Sequence, residues 1–177
     1  LVYANAGYST FYGLIGTTIL SFSDVLGDHR LIGVTGLQID LKNSDYGLAY
    51  YNLGNRIKFG VEGFHTARFV NIIKGNYIYL YRFRNIQLSV NANYPLNLFD
   101  RFEAGLSYLN VRSENLDDIR FPLQTDNFFV PSLAYVHDNT LWGYTAPIEG
   151  TRFRLDTYGN PGIGKKKLSF WTFTGDY

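Results

Sequence analysis

The residues of this chain most capable of chemistry are its three histidines, His29, His65 and His137. A histidine beside a carboxylate can act as a base toward a distant serine, and His137 directly precedes Asp138. Neighbouring residues of a strand point to opposite faces, however, so the strand predicted here separates the two side chains. None of the histidines has the spacing of a metal site, and the chain has no cysteine. We therefore predict no catalytic, cofactor-binding or metal-binding residue, and no enzymatic activity.

Two further segments resemble ligand-binding motifs. "GNPGIGKK" (159–166) is close to a phosphate-binding loop, but Lys166 stands where Ser or Thr would hold magnesium, and a strand follows where a helix would be needed. We interpret it as a basic hairpin loop. Asp24, Asp28 and His29 fall in one turn, but their spacing is not that of a calcium-binding loop, so a solvated turn is favoured.

Charged residues instead follow an alternating pattern, seen best in "EGTRFRLDTYG" (149–159). Arg152, Arg154 and Asp156 share one parity and Phe153 and Leu155 the other, so a strand would have one charged and one apolar face. The same pattern occurs at 57–69. The residues that we expect to face a wet interior are Lys58, Glu62, Arg152, Arg154 and Asp156. Mutual pairing of these charges is favoured over a charged pore lining.

The composition is that of a β-protein. The 177 residues include 15 Tyr, 14 Phe and 18 Gly, and the net charge of +1 gives no reason to expect a nucleic-acid partner. The sequence contains no Met, which indicates a processed form or a piece of a longer chain. No apolar run reaches the roughly 18–20 residues of a spanning helix.

Alternating runs separated by turn residues predict about ten strands in a single domain over residues 1–177. They are 13–23, 31–41, 46–53, 57–69, 76–84, 86–94, 101–111, 127–136, 151–158 and 168–177. Their length and the aromatic residues near their ends are typical of a membrane barrel. The alternation is blurred at 76–84, where Arg82 and Arg84 share a parity with Ile78 and Leu80. A soluble sandwich or barrel would also alternate, so that alternative stays open.

Three segments resemble the bacterial surface antigen family, the barrels of outer-membrane protein assembly factors and their relatives. They are "FSDVLGDHRLIGVTGLQ" (22–38), "NYPLNLFDRFEAGL" (93–106) and "PSLAYVHDNTLWGYTAPIEGTRFRLD" (131–156). The resemblance is strongest to the barrel that follows a TolB-like propeller. The pattern that carries it consists of Asp138, Asn139, Thr140, Pro147, Gly150, Thr151 and Arg152.

The resemblance implies an antiparallel transmembrane β-barrel of the outer-membrane type. The family barrel has about sixteen strands, so this chain would be an incomplete part of one, completed by other segments of the same protein or by partner subunits. The family's Val-Arg-Gly-Phe/Tyr motif and its periplasmic domains are not found in this sequence. We expect a bacterial outer-membrane protein, embedded in the lipid bilayer, that inserts or translocates proteins or anchors a periplasmic domain. The alternative is a soluble, secreted β-barrel or sandwich that binds a ligand in its interior.

Overall fold

The computed structural model describes residues 1–9, 13–37, 43–75, 77–118, 120–163 and 168–177. In them, ten long strands form one antiparallel sheet, with a short hairpin inserted before the last two. The strands are β1 (Val2–Ser9), β2 (Gly13–Ser23), β3 (His29–Leu37), β4 (Asp45–Asn52), β5 (Lys58–Lys74), β6 (Tyr77–Pro95), β7 (Asp100–Asn115), β8 (Gln124–Asp138), β9 (Leu141–Trp142), β10 (Pro147–Glu149), β11 (Arg152–Pro161) and β12 (Ser169–Asp176). No helix among these residues is long and apolar enough to cross a membrane.

The sheet order follows the chain, with β8 joined to β11 across the β9–β10 hairpin. Strands β1 and β12 lie at its two ends, and in the described residues they do not pair with each other. The sheet is therefore open, as the prediction of an incomplete barrel requires.

The number of long strands agrees with the sequence prediction, but the assignment differs at two places: one strand was missed, and two predicted strands are one. Strand β1 was not predicted, since two of the four residues on its more apolar side, Ala4 and Ala6, are alanines. The predicted strands 76–84 and 86–94 are one continuous strand, β6, which is 19 residues long. Asn85, which lies between the two predicted strands, pairs with Thr66 on one side and Val111 on the other.

The register assigns each residue to one of two faces, because directly paired residues point to the same side. We call the face that carries Tyr51, Asn91, Glu103, Ala134 and Arg154 the inner face, and the opposite one the outer face. Adjacent residues show how differently the two are packed. Ala49 and Ala134 on the inner face are 5% and 4% exposed, whereas Leu48 and Leu133 on the outer face are 58% and 50% exposed. Crowding of this kind is expected on the inside of a curved sheet.

The outer face carries a continuous apolar belt. Its side chains are 39% to 58% exposed and include Phe22, Leu31, Leu48, Val61, Leu88, Val90, Phe102, Leu106, Leu133 and Leu155. In β6 the belt extends from Tyr94 to Ile86, which is about 27 Å along the strand and about 21 Å high at a tilt of about 40°. The apolar band of outer-membrane barrels is about 25 Å tall. A soluble protein rarely exposes so large an apolar surface.

Beyond the belt, strands β5 to β8 continue and the polarity of their faces reverses. Arg82, Arg84 and Arg112 lie on the outer face there, in register with the belt residues below them. The inner face at this end is instead rich in apolar and aromatic residues, such as Phe83 and Val111. This reversal explains the blurred alternation at 76–84. Strand β6 passes through two environments, and the face that is apolar within the belt carries arginines beyond it.

Candidate functional site

The inner face carries a cavity of about 350 Å³ that is lined by both polar and apolar residues. Its lining comes from six strands, β4 to β8 and β11, so it spans much of the sheet's width. The polar side chains in the lining are Tyr51, Lys58, Asn91, Asn93, Glu103, Ser132, Arg154, Asp156, Thr157 and Tyr158. Small residues between them, Gly60, Gly105 and Ala134, leave the space that the cavity occupies.

Four alternating charges form an ion network beside this cavity. Arg154 Nη1 lies 2.7 Å from Glu103 Oε2, and Arg154 Nη2 lies 2.7 Å from Asp156 Oδ1. Arg101 Nε donates to Glu103 Oε1 at 2.7 Å. Each charge therefore has an opposite charge in contact, which lowers the cost of placing it inside a barrel.

The network depends on a small residue in the strand between its two halves. Glu103 and Asp156 each pair with Ala134 of β8, on its two sides. Ala134 has too small a side chain to separate them, so Arg154 can reach across β8 to Glu103. A larger residue at 134 would block that contact.

A second polar contact on the inner face lies between β4, β5 and β6. The Tyr51 hydroxyl donates to Glu62 Oε1 at 2.8 Å, and Asn91 Nδ2 donates to the same oxygen at 3.4 Å. Glu62 thus accepts from two neutral donors and stays on the polar side of the sheet.

The structure places all five predicted interior residues on the inner face, but it brings only some of them together. Arg154 and Asp156 are in contact, and Lys58 lines the same cavity. Arg152 lies at the strand end, 61% exposed, with its Nε 3.6 Å from Asp138 Oδ2. That these residues face a wet interior remains a prediction.

Arg101 and Glu103 were not among the residues that the sequence predicted to face the interior. Glu103 and Arg154 are 51 residues apart, and their contact follows from the register of three strands. The strand alternation alone carried no signal for this pairing.

The residues of the family-like pattern form hydrogen bonds between the two ends of the connection at 138–152. Asn139 N donates to Thr151 O at 3.1 Å, and Asn139 Oδ1 accepts from Thr151 N. Gly150 has φ of +106°, and a side chain there would collide with the backbone of Asn139 and Thr140. Asp138 Oδ1 accepts from Thr140 N at 3.2 Å. These residues join β8 to β11 and support the β9–β10 hairpin, in which Pro147 pairs with Trp142.

A separate polar cluster occurs on the outer face, at the turn between β6 and β7. Asp100 Oδ1 accepts from the Tyr135 hydroxyl at 2.6 Å and lies 2.7 Å from His137 Nδ1, while Asn97 Nδ2 donates to Asp100 Oδ2 at 2.7 Å. These hydrogen bonds, with the one from Tyr135 contributing most, lower the pKa of the Asp100 carboxyl from its ordinary 3.8 to about 2. Asp100 precedes the apolar part of β7, so the cluster lies at the edge of the belt.

His137 therefore has a carboxylate partner, but it is Asp100 and not the adjacent Asp138. Asp138 pairs with Arg152 on the inner face, whereas the His137 ring stacks on Phe153 at 5.2 Å. The separation of His137 from Asp138 was expected from strand geometry. The contact with Asp100 was not predicted, because a single sequence carries no sign of the register between β7 and β8.

The turn that contains Asp24, Asp28 and His29 is described in full, whereas the basic loop at 159–166 is described only in part. In the turn between β2 and β3, Asp24 Oδ1 accepts from His29 N at 2.9 Å, and Gly27 has φ of +78°. Within the described ranges, no three His, Asp or Glu side chains are grouped to hold a metal ion. The part of "GNPGIGKK" from 164 onward lies outside the described residues.

Comparison by sequence gives no match to a protein-family model or to a curated protein. By structure, the chain is similar to the crystal structure of BamA from Haemophilus ducreyi lacking POTRA domains 1–3, with a TM-score of 0.60 and 14% sequence identity. The match covers 99% of this chain and 36% of that one. The chain therefore has the fold of part of an outer-membrane-type β-barrel, as predicted. The surface antigen resemblance has this support at the level of the fold and none from a family model.

Proposed function

We propose that the chain is part of a β-barrel in the bacterial outer membrane that takes part in inserting or translocating proteins, and that it is not an enzyme. The observation that carries the membrane location is the exposed apolar belt of bilayer height, with a polar, ion-paired face behind it. The likeness to BamA favours the insertion role. The lipid bilayer is then the main partner, and the two open sheet edges require further strands of the same protein or of a partner.

The orientation follows from the connections between strands. Three of the four connections at one end are short turns, at 24–28, 53–57 and 96–99, and the fourth carries the β9–β10 hairpin, whereas the β5–β6 hairpin extends far beyond the belt at the other end. Outer-membrane barrels have short periplasmic turns and longer extracellular loops. The end that carries Arg82 and Arg84 is accordingly assigned to the extracellular side.

Cysteine labelling at two adjacent positions tests the membrane location. The chain has no native cysteine, and Ser132 and Leu133 point to the inner and outer faces. In vesicles, Leu133→Cys should react with a lipid-soluble maleimide and Ser132→Cys with a water-soluble one. Equal reaction of Leu133→Cys with the water-soluble reagent would contradict the proposal and favour the soluble alternative.

A folding assay tests the insertion role separately. An unfolded outer-membrane barrel should fold faster into vesicles that contain this protein than into vesicles that contain an unrelated barrel. If the protein is embedded but the two rates are equal, anchoring of a periplasmic domain becomes the better assignment.

A further inference from the structure

We propose that the outer face binds a single phosphate-bearing lipid, with its phosphate at Arg84 and Arg112 and an acyl chain in an apolar groove below them. This inference rests on the proposed membrane location and adds a specific ligand to it. The groove and the arginines are independent features, and each is considered in turn.

The groove is a depression in the surface of the apolar belt. It has a volume of about 670 Å³ and extends from β2 to β7, with a lining that is almost entirely apolar. Leu20, Leu48 and Leu88 line it, and Gly33 and Gly63 leave its floor low. A Cβ atom at Gly63 would meet nothing within 4 Å, so the space above this residue is open. In a membrane such a gap is filled by a flexible hydrocarbon chain.

The two arginines lie directly above this groove. His65 and Ile86 line its upper end, and Ile86 pairs with Asn110 across the strands. Arg84 and Arg112 form the next outward-facing pair along β6 and β7, about 7 Å further along the strands. A lipid chain in the groove would therefore bring its headgroup to these side chains, at the upper boundary of the belt.

On the outer face of the described strands β6 and β7, arginines outnumber carboxylates at this boundary. Arg84 and Arg112 are direct cross-strand neighbours, a pairing of like charges that is unfavourable by itself. The carboxylate of Glu114 is 2.6 Å from Arg82 Nη2 and 3.5 Å from Arg84 Nη2, so its close contact is with Arg82. Two of the three guanidinium groups thus share the Glu114 carboxylate.

The hydrogen-bonding groups of the arginines also point to an anionic ligand. Arg84 Nε is buried and has no hydrogen-bond partner in the described part of the chain, and Arg112 Nε donates to the neutral amide of Asn110 at 3.1 Å. The other ionisable groups nearby are engaged: His65 contacts Ser44 O, and Asp117 accepts from Leu80 N. A phosphate accepts several hydrogen bonds from guanidinium groups and would balance the excess charge.

Electron spin resonance of spin-labelled lipids provides the test. The protein is reconstituted in phosphatidylcholine nanodiscs with a trace of spin-labelled phosphatidylglycerol, and the motionally restricted fraction gives the affinity relative to labelled phosphatidylcholine. The Arg84→Gln/Arg112→Gln variant should lower the preference for phosphatidylglycerol about 30-fold, since each cation near an anionic lipid surface contributes about 1 kcal/mol. Arg84→Lys/Arg112→Lys should retain part of the preference.

Two matched controls accompany these variants. Arg120→Gln removes a cation from an exposed loop residue paired with Asp118 and should leave the preference unchanged. Gly63→Leu should fill the groove and release both labelled lipids, whereas Gly7→Leu, on the inner face of β1, should release neither.

The outcomes separate the two proposals. An unchanged preference in the double Gln variant, or displacement of the lipid by inorganic phosphate as readily as by phosphatidylglycerol, would overturn the lipid site. If the Ser132 and Leu133 labelling pattern shows that the protein is not embedded, the proposed function itself fails, whatever the lipid result.

Discussion

Leu106→Arg is the substitution that best separates a lipid-facing sheet from a water-exposed one. Leu106 pairs with Val90, midway between Tyr94 and Ile86, so it lies at the centre of the apolar belt. About 14 Å of strand separates it from either edge, which is about 10 Å of height at the expected tilt. The side chain is 52% exposed.

The expected cost differs sharply between the two environments. An arginine on the lipid face near the bilayer centre costs about 2–4 kcal/mol, which lowers the folding equilibrium constant by about 30-fold to nearly 1,000-fold. In water the same change at a half-exposed position would alter stability by about 0.5 kcal/mol or less. Leu98→Arg is the matched control, because Leu98 is 93% exposed in the turn between β6 and β7. An arginine near the interface costs about 0–1 kcal/mol.

Reversible urea unfolding in phospholipid vesicles, followed by tryptophan fluorescence, measures both variants against the unsubstituted protein. We expect Leu106→Arg to lose at least about 2 kcal/mol and Leu98→Arg to remain within about 1 kcal/mol. Equal losses in the two variants, or a neutral Leu106→Arg, would refute the assignment of the outer face to lipid.

Three further predictions concern the inner network, the outer turn and one close backbone contact. Arg154→Ala should destabilise the protein by about 1–2 kcal/mol in the same urea assay, because it leaves Glu103 and Asp156 without their shared cation. Arg152→Ala, at a more exposed site, should change stability by about 0.5 kcal/mol or less. Asp100 has a folded-state pKa of about 2 against an ordinary 3.8, so its contribution to stability is complete above about pH 4 and is lost as the pH falls through 2. Unfolding at a series of pH values should therefore show a steeper acid loss in the unsubstituted protein than in Asp100→Asn. Gly159→Ala should lower the free energy of unfolding by about 1–3 kcal/mol, since its Cβ would collide with the backbone oxygen of Phe170. Gly63→Ala, where the added Cβ meets no other atom, should be neutral or stabilising by up to about 1 kcal/mol. Similar unfolding midpoints for the two variants would contradict this explanation.

Alternation along single strands was enough to predict an all-β chain and the face of the five selected charges, while the barrel itself was predicted from strand length, aromatic ends and the family resemblance. Arg154, Asp156, Lys58 and Glu62 were assigned to one face from parity alone, because that property is local. The partner of a charge is not local. Arg154 contacts Glu103 because β7, β8 and β11 align with Ala134 between them, and a single sequence carries no direct sign of that register.

The errors in strand assignment have a related cause. The predicted strands 76–84 and 86–94 leave Asn85 between them, yet its Nδ2 donates to Thr66 Oγ1 at 3.5 Å within an unbroken ladder. Beyond it, β6 leaves the apolar belt, so the rule that charges face inward no longer applies to Arg82 and Arg84. A parity rule that holds for one environment cannot describe a strand that crosses two.

The continuous register of the long strands also limits how the gene can change in length. One added codon between Glu103 and Leu106 would turn the rest of β7 over, exchanging the environments of Leu106 and Ser107 and of each residue after them. Two added codons would preserve the faces and shift only the pairing. Single-codon insertions should therefore be purged from the strands during evolution, while loop 116–123 and the hairpin at 141–149 can accept either number, so that homologous sequences would differ in length there first.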